Sequence, residues 1–249
     1  MKVSKWLPVA GLLLLLVLGG AFTLSPPKQA DPWPKALEDY LGQPAYKTVD
    51  PDKPLHQQTS TFTLAGRTFE MPTVYISSNI ANQEEIDGLN LLYVLPDYTS
   101  RADFADRDEY EQARNDRRFG HMLVEPFASW PSSFEKAIAN HHHSMEKVER
   151  VGIFDGLEIE KWFQERQGQL HFYHQVYIER DEQGKIISFI ECSTLDRPSV
   201  RFPGCSHRFV DKGLLYKVHY NQEKYLLEWR AMRASAIAFV DSFEKSPQP

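Results

Sequence analysis

The sequence predicts an α+β domain: an antiparallel sheet packed by helices, including a C-terminal amphipathic helix, placed after an N-terminal transmembrane helix. Three observations lead there. Two stretches, 169–193 and 207–220, alternate apolar and polar residues and break at glycine-bearing turns, as hairpins do. The last long stretch repeats apolar residues at helical spacing. The first 25 residues carry an apolar run unlike anything after it. Five Trp, eleven Tyr and fifteen Phe add weight to a β-rich body, because aromatic side chains suit a pleated surface.

Taken in order, residues 1–6 hold Lys2 and Lys5, a short positive flank expected to stay in the cytoplasm. Residues 7–24 run without a charge. As a helix that run spans about 27 Å, close to the hydrocarbon thickness of a bilayer. It reads as a transmembrane anchor, and Gly19-Gly20-Ala21 keeps a cleavable signal open as the other reading. Either way the remainder is expected in the periplasm, with the anchored form a single-pass inner-membrane protein. Residues 25–58 carry Pro26, Pro27, Pro32, Pro34, Pro44, Pro51 and Pro54, which suits a semi-rigid periplasmic spacer. A globular α+β domain is expected over 59–245.

Export bears on the only two cysteines, Cys192 and Cys205. In an oxidising compartment two cysteines pair, and Pro198, Pro203 and Gly204 let the intervening loop fold back. Such a bridge stabilises by about 3 kcal/mol in the chain-entropy description. Two free buried thiols and a Cys205–His207 nucleophile pair are the competing readings. Zinc would need two further ligands at suitable spacing.

Within the body, 61–72 reads as a hairpin turning at Ala65-Gly66, and 88–96, apolar on both faces, as a central strand. Residues 97–118 balance six acids between Asp103 and Asp116 against five arginines between Arg101 and Arg118, which predicts a solvated helix with i,i+4 pairs such as Asp103 with Arg107. Residues 119–126 read as another strand. Ser132-x-x-Glu135 has the pattern of a capping box for a helix over 131–150, with Phe134, Ile138, His141, Met145 and Val148 as its apolar face. His141, His142 and His143 point about 100° apart on such a helix and cannot converge on one metal. A packed His141 with two solvated neighbours is expected. The hairpin 169–193 turns at Gly184 and sets Phe172, His174, Val176 and Ile178 on one face. The hairpin 207–220 turns at Lys212-Gly213, with Leu214, Tyr216, Val218 and Tyr220 on one face and Lys217 and His219 on the other. The final helix carries Leu226, Trp229, Arg233, Ile237, Val240 and Phe243 along one side.

No hydrolase elbow, HExxH, phosphate loop or dinucleotide fingerprint is present, and no cofactor or metal site is expected. His174, or Cys205 with His207, would be the groups of an envelope hydrolase; His207 and His219 lie on strands expected to pair. The net charge of −6 argues against a nucleic-acid partner. The absence of assembled chemistry points away from an enzyme and toward a protein partner. Trp130 and Phe134, the aromatics of SWPSSF, are the candidate contact residues; the other reading is that they begin a packed helix.

The runs FDGLEIEKW, YIERDEQGKIISFIECS, PGCSHRF, GLLYKVHY and LLEWRAMRASAIAFVDSF resemble membrane-anchored periplasmic proteins of Gram-negative bacteria, some linked to type VI secretion as immunity proteins. The resemblance spans about residues 60–243 and is densest from Phe154 onward. It implies a binding role toward a secreted toxin or effector, and carries over Cys192 and Cys205 as a structural pair. The order of strands and terminal helix is also similar to α/β/α sandwich proteins of the PsbP group. An envelope assembly factor or accessory subunit is the alternative role.

Overall fold

The computed structural model describes residues 57–77, 84–130, 133–193 and 204–245. The segments 1–6 and 7–24, and the spacer 25–58 up to residue 56, lie outside the described residues. Among the described residues no helix is long and apolar enough to cross a membrane.

The described residues form ten strands. β1 (Thr59–Leu64) and β2 (Arg67–Pro72) make a separate hairpin. The other eight are β3 (Leu89–Val94), β4 (Phe119–Pro126), β5 (Lys147–Phe154), β6 (Leu157–Arg166), β7 (Gln169–Arg180), β8 (Ile186–Ser193), β9 (Gly204–Asp211) and β10 (Leu214–Asn221). They build one fully antiparallel sheet in the order β3-β4-β10-β9-β8-β7-β6-β5. Helix α1 covers Arg107–Asn115, α2 covers Phe134–His143, and a single turn, α3 (Gln222–Tyr225), leads into α4 (Trp229–Asp241).

Four hairpins turn on an X-Gly pair in which both residues have positive φ: Ala65-Gly66, Asp155-Gly156, Gln167-Gly168 and Lys212-Gly213. That geometry matches the twist of the flanking strands, and glycine carries the second position without a Cβ penalty. Alternation then assigns the faces. On β10, Leu214, Tyr216, Val218 and Tyr220 enter the main core, as do Phe209 and Cys205 on β9 and Ile190 and Cys192 on β8. α4 closes this face with Trp229, Met232, Ala236 and Val240. Hairpin β1–β2 adds Phe62, Leu64, Phe69 and Met71. It is fixed to the end of α4 by Arg67, which donates to Asp241 at 2.8 Å and also pairs with Glu244. The opposite face carries a smaller core, in which Phe134 and Ile138 of α2 meet Trp162, Val176, Ile178, Phe189 and Leu215.

Cys192 and Cys205 stand directly opposite each other on β8 and β9 and are joined as a disulfide, with their Cα atoms 4.0 Å apart. The expected antiparallel sheet and C-terminal helix are present; several elements differ from expectation. β3 is an edge strand, not a central one. It is apolar on both faces because Leu89, Leu91 and Tyr93 enter the main core while Val94 joins a separate cluster with Phe104, Tyr110 and Ala113. The helix expected over 97–118 contracts to α1, capped by Asp106, whose carboxylate accepts from the Glu109 amide at 2.9 Å. The helix expected over 131–150 stops at His143, and Val148 belongs to β5. Its cap is Ser133 rather than Ser132, and Glu135 accepts from the Ile186 amide at 2.8 Å instead of closing a capping box.

Candidate functional site

α2 covers only part of the second sheet face. Beyond it, paired positions on four neighbouring strands form a polar row: Glu191 on β8 faces Ser206 on β9, Ser206 faces His219 on β10, and His219 faces His121 on β4. The row floors a cleft of about 750 Å³. Arg208 and His174 flank it from the sheet, and Arg101, Arg114 and Arg117 reach it from α1 and its flanks. Phe119 packs α1 against the edge of the sheet and carries the Arg101 guanidinium 4.6 Å above its ring.

Arg208 is the best-positioned group. It donates to Glu191 at 2.9 Å, and its guanidinium lies 4.9 Å over the Phe189 ring. Glu191 is also approached by His174 Nε2 at 3.3 Å, and His174 Nδ1 lies 3.3 Å from the Cys192 carbonyl oxygen. Burial opposes the charge on Glu191, but Arg208 and His174 outweigh it and hold the carboxyl below the usual range. His219 and His121 stack with ring centroids 5.1 Å apart. Burial, then the His121 and Arg208 charges, lower His219 to about 4. Burial and Arg101 lower His121, whose Nε2 bonds the Asn90 side-chain oxygen. At neutral pH both imidazoles are therefore uncharged. The lining then carries four guanidinium groups against one carboxylate.

Among the described residues no assembled catalytic set lines the cleft. Among the described residues Ser206 Oγ has no hydrogen-bond partner, so no base is in place to take its proton. Among the described residues, too, no three His, Cys, Asp or Glu side chains are placed to hold a metal ion. The arrangement is suited to holding negative charge, by one guanidinium oriented beforehand and several at the rim.

The anticipated residues fall in different places. His174 is in the cleft. His207 is not: it lies on the opposite face, fully buried, its Nε2 2.9 Å from Ser188 Oγ and its ring against Phe209, Trp229 and Tyr220. His207 and His219 do not meet, because His207 pairs with Val218 and adjacent positions point to opposite faces. Cys205 is no nucleophile, since its sulfur is bonded to Cys192. Of the triple histidine, His141 stacks on Trp162 as a packed residue. His142 is not merely solvated; its Nε2 lies 2.7 Å from the buried carboxylate of Glu160, which also accepts from Trp162 Nε1 at 2.9 Å. Phe134 is buried edge-on against Phe189, and Trp130 is half-buried beside it. Both line a separate recess of about 720 Å³ that also touches Val210. Sequence reasoning missed Glu191, Ser206, Arg208 and His121. The available signal was a polar residue between two core residues, as at Glu191, Ser206 and His219; only the register aligns these into a row.

Antiparallel sheet, C-terminal helix on one face and half-covered second face together define the class of fold. Solved structures are similar to this chain. One, at a TM-score of 0.55 and 15% identity over 80% of this chain and 98% of that chain, is Smlt3025, an immunity protein of the Stenotrophomonas maltophilia type IV secretion system. Another, at a TM-score of 0.42 and 12% identity over 76% of this chain and 93% of that chain, is the iron-regulated outer membrane lipoprotein FrpD of Neisseria meningitidis. No protein-family model and no curated protein matches the sequence.

Proposed function

We propose that this chain is a binding protein of the immunity type, which masks a secreted toxin, and that residues 7–24 hold it at the inner membrane with its sheet in the periplasm. The observation that carries the reading is the uncovered part of the second sheet face. It presents an open, charged, internally braced cleft in which no described residue is an activated nucleophile. A surface of that kind serves recognition rather than reaction. The likeness to Smlt3025 supports the role, and a disulfide suits an oxidising compartment. Delivery of the toxin through a type VI system is part of the proposal; Smlt3025 belongs to a type IV system.

The test is protection. A sensitive strain making the full chain is challenged with a periplasm-directed product of each adjacent gene. Survival with one of them is the expected result, with that product co-purifying from solubilised membranes. Equal killing with and without the chain, for every adjacent product, would end the toxin reading. Co-purification of resident envelope proteins alone would point to an accessory subunit instead.

A further inference from the structure

We propose that the cleft on the second sheet face receives an acidic segment of the partner protein, with Arg208 as its central anchor and Ser206 as an auxiliary donor. The proposal rests on the binding-protein reading above and names the chemistry of the partner. It starts from a reversal of charge. The chain carries a net charge of −6, yet this cleft is lined by four arginines and a single carboxylate, with Arg114 and Arg117 paired outside it to Glu111 and Glu223. Solubility would be served as well by the negative excess found elsewhere, so the local inversion is suited to attracting anionic side chains.

The geometry narrows the ligand further. The Arg208 side chain retains 20% of its exposure while Glu191 and the Phe189 ring fix its direction, so little rotamer freedom is left to lose on binding. Ser206 Oγ, one strand position from both Glu191 and His219, has no partner among the described residues and can turn its hydroxyl hydrogen toward an incoming carboxylate. His219 and His121 are uncharged at neutral pH and offer a flat aromatic wall rather than a second cation. A cleft of about 750 Å³ accommodates a few side chains of an extended segment, more than one small anion. Carboxylates entering it would share Arg208 with Glu191 and, at the rim, share Arg114 with Glu111 and Arg117 with Glu223.

The experiment uses the full chain in a neutral detergent, titrated separately with an oligoglutamate peptide, an oligolysine peptide and inorganic phosphate, at low and at physiological salt. Oligoglutamate is expected to bind, more weakly as salt is raised, and oligolysine is expected not to bind. Arg208→Gln should weaken the acidic peptide about tenfold, with part of the loss restored by Arg208→Lys. Arg230→Gln, which removes the same charge beside Asp155 and away from the cleft, should leave binding unchanged. A thermal melt checks each fold; if Arg208→Gln does not fold, Ser206→Ala and Arg114→Gln carry the same comparison, each expected to weaken binding. Absence of oligoglutamate binding overturns the proposal. So does binding indifferent to these substitutions, or inorganic phosphate binding as tightly as the peptide, which would mark a plain anion site. Protection in cells with no oligoglutamate binding would retain the immunity reading and remove the acidic segment; peptide binding without protection would do the reverse.

Discussion

His207 shows how one residue ties stability to pH. It is enclosed by Phe209, Tyr220 and Trp229, and its Nδ1 has no partner among the described residues. Donation from Nε2 to Ser188 Oγ leaves only a lone pair unmet, which is tolerable for the neutral ring and prohibitive for the cation. Burial, then the Arg233 charge, lower the group to about 3. The unfolded chain protonates this histidine near pH 6.5, so its contribution is complete above that value and is lost progressively as pH falls toward about 3. Urea melts from pH 7 to pH 5 should show His207→Gln losing a slope approaching about 1.4 kcal/mol per pH unit relative to the parent. His219 adds its own slope, so the variant should flatten without becoming level. Identical slopes in both proteins would show that His207 takes up its proton in the folded state. Gly120 illustrates a steric constraint: a Cβ there would lie 2.1 Å from the Tyr93 ring, whose hydroxyl donates to the His121 carbonyl at 3.2 Å. Gly120→Ala should cost about 1–3 kcal/mol in a denaturant melt; an unchanged midpoint would mean the ring moves aside freely.

Among the elements, the pairing of β8 with β9 is reinforced by the disulfide. Its cysteines are 13 residues apart and directly paired in register. Replacing both by alanine, which avoids leaving an odd thiol, should lower stability by about 3 kcal/mol through the larger entropy of the unfolded chain. A loss under about 1 kcal/mol would show that register alone holds the two strands. The misread elements have a common cause. Apolar residues at helical spacing continued past His143 because Met145 and Val148 do enter the same core as Phe134 and Ile138, but from β5 and its approach rather than from α2. β5 and β6 were missed altogether, although Asp155-Gly156 between apolar-alternating flanks is a strong hairpin signal. Gln167-Gly168 marked the next turn in the same way.

For the whole molecule, the proposed function follows from unequal coverage of one sheet. α4 and hairpin β1–β2 seal one face, while α2 and α1 leave a charged opening between them on the other. The proposed role therefore requires the intact arrangement: Glu191, Ser206, His219 and His121 come from four strands, and no short segment carries the site. This is also why the cleft was illegible in sequence while Cys192 and Cys205 were not. The cysteines are named by count and compartment, whereas the row exists only after four strands are aligned.

By itself the sequence determined the hairpins 61–72, 169–193 and 207–220 and the amphipathic helix at the end, because alternation, X-Gly turns and helical spacing are local properties. It also supplied the two cysteines and the excess of acid over base. Only the tertiary structure decided that β3 lies at an edge, that α2 ends at His143, that His207 is sealed away from His219, and that Arg208 stands braced in a cleft. Those outcomes depend on strand order and register, which are set by contacts between residues far apart in the chain.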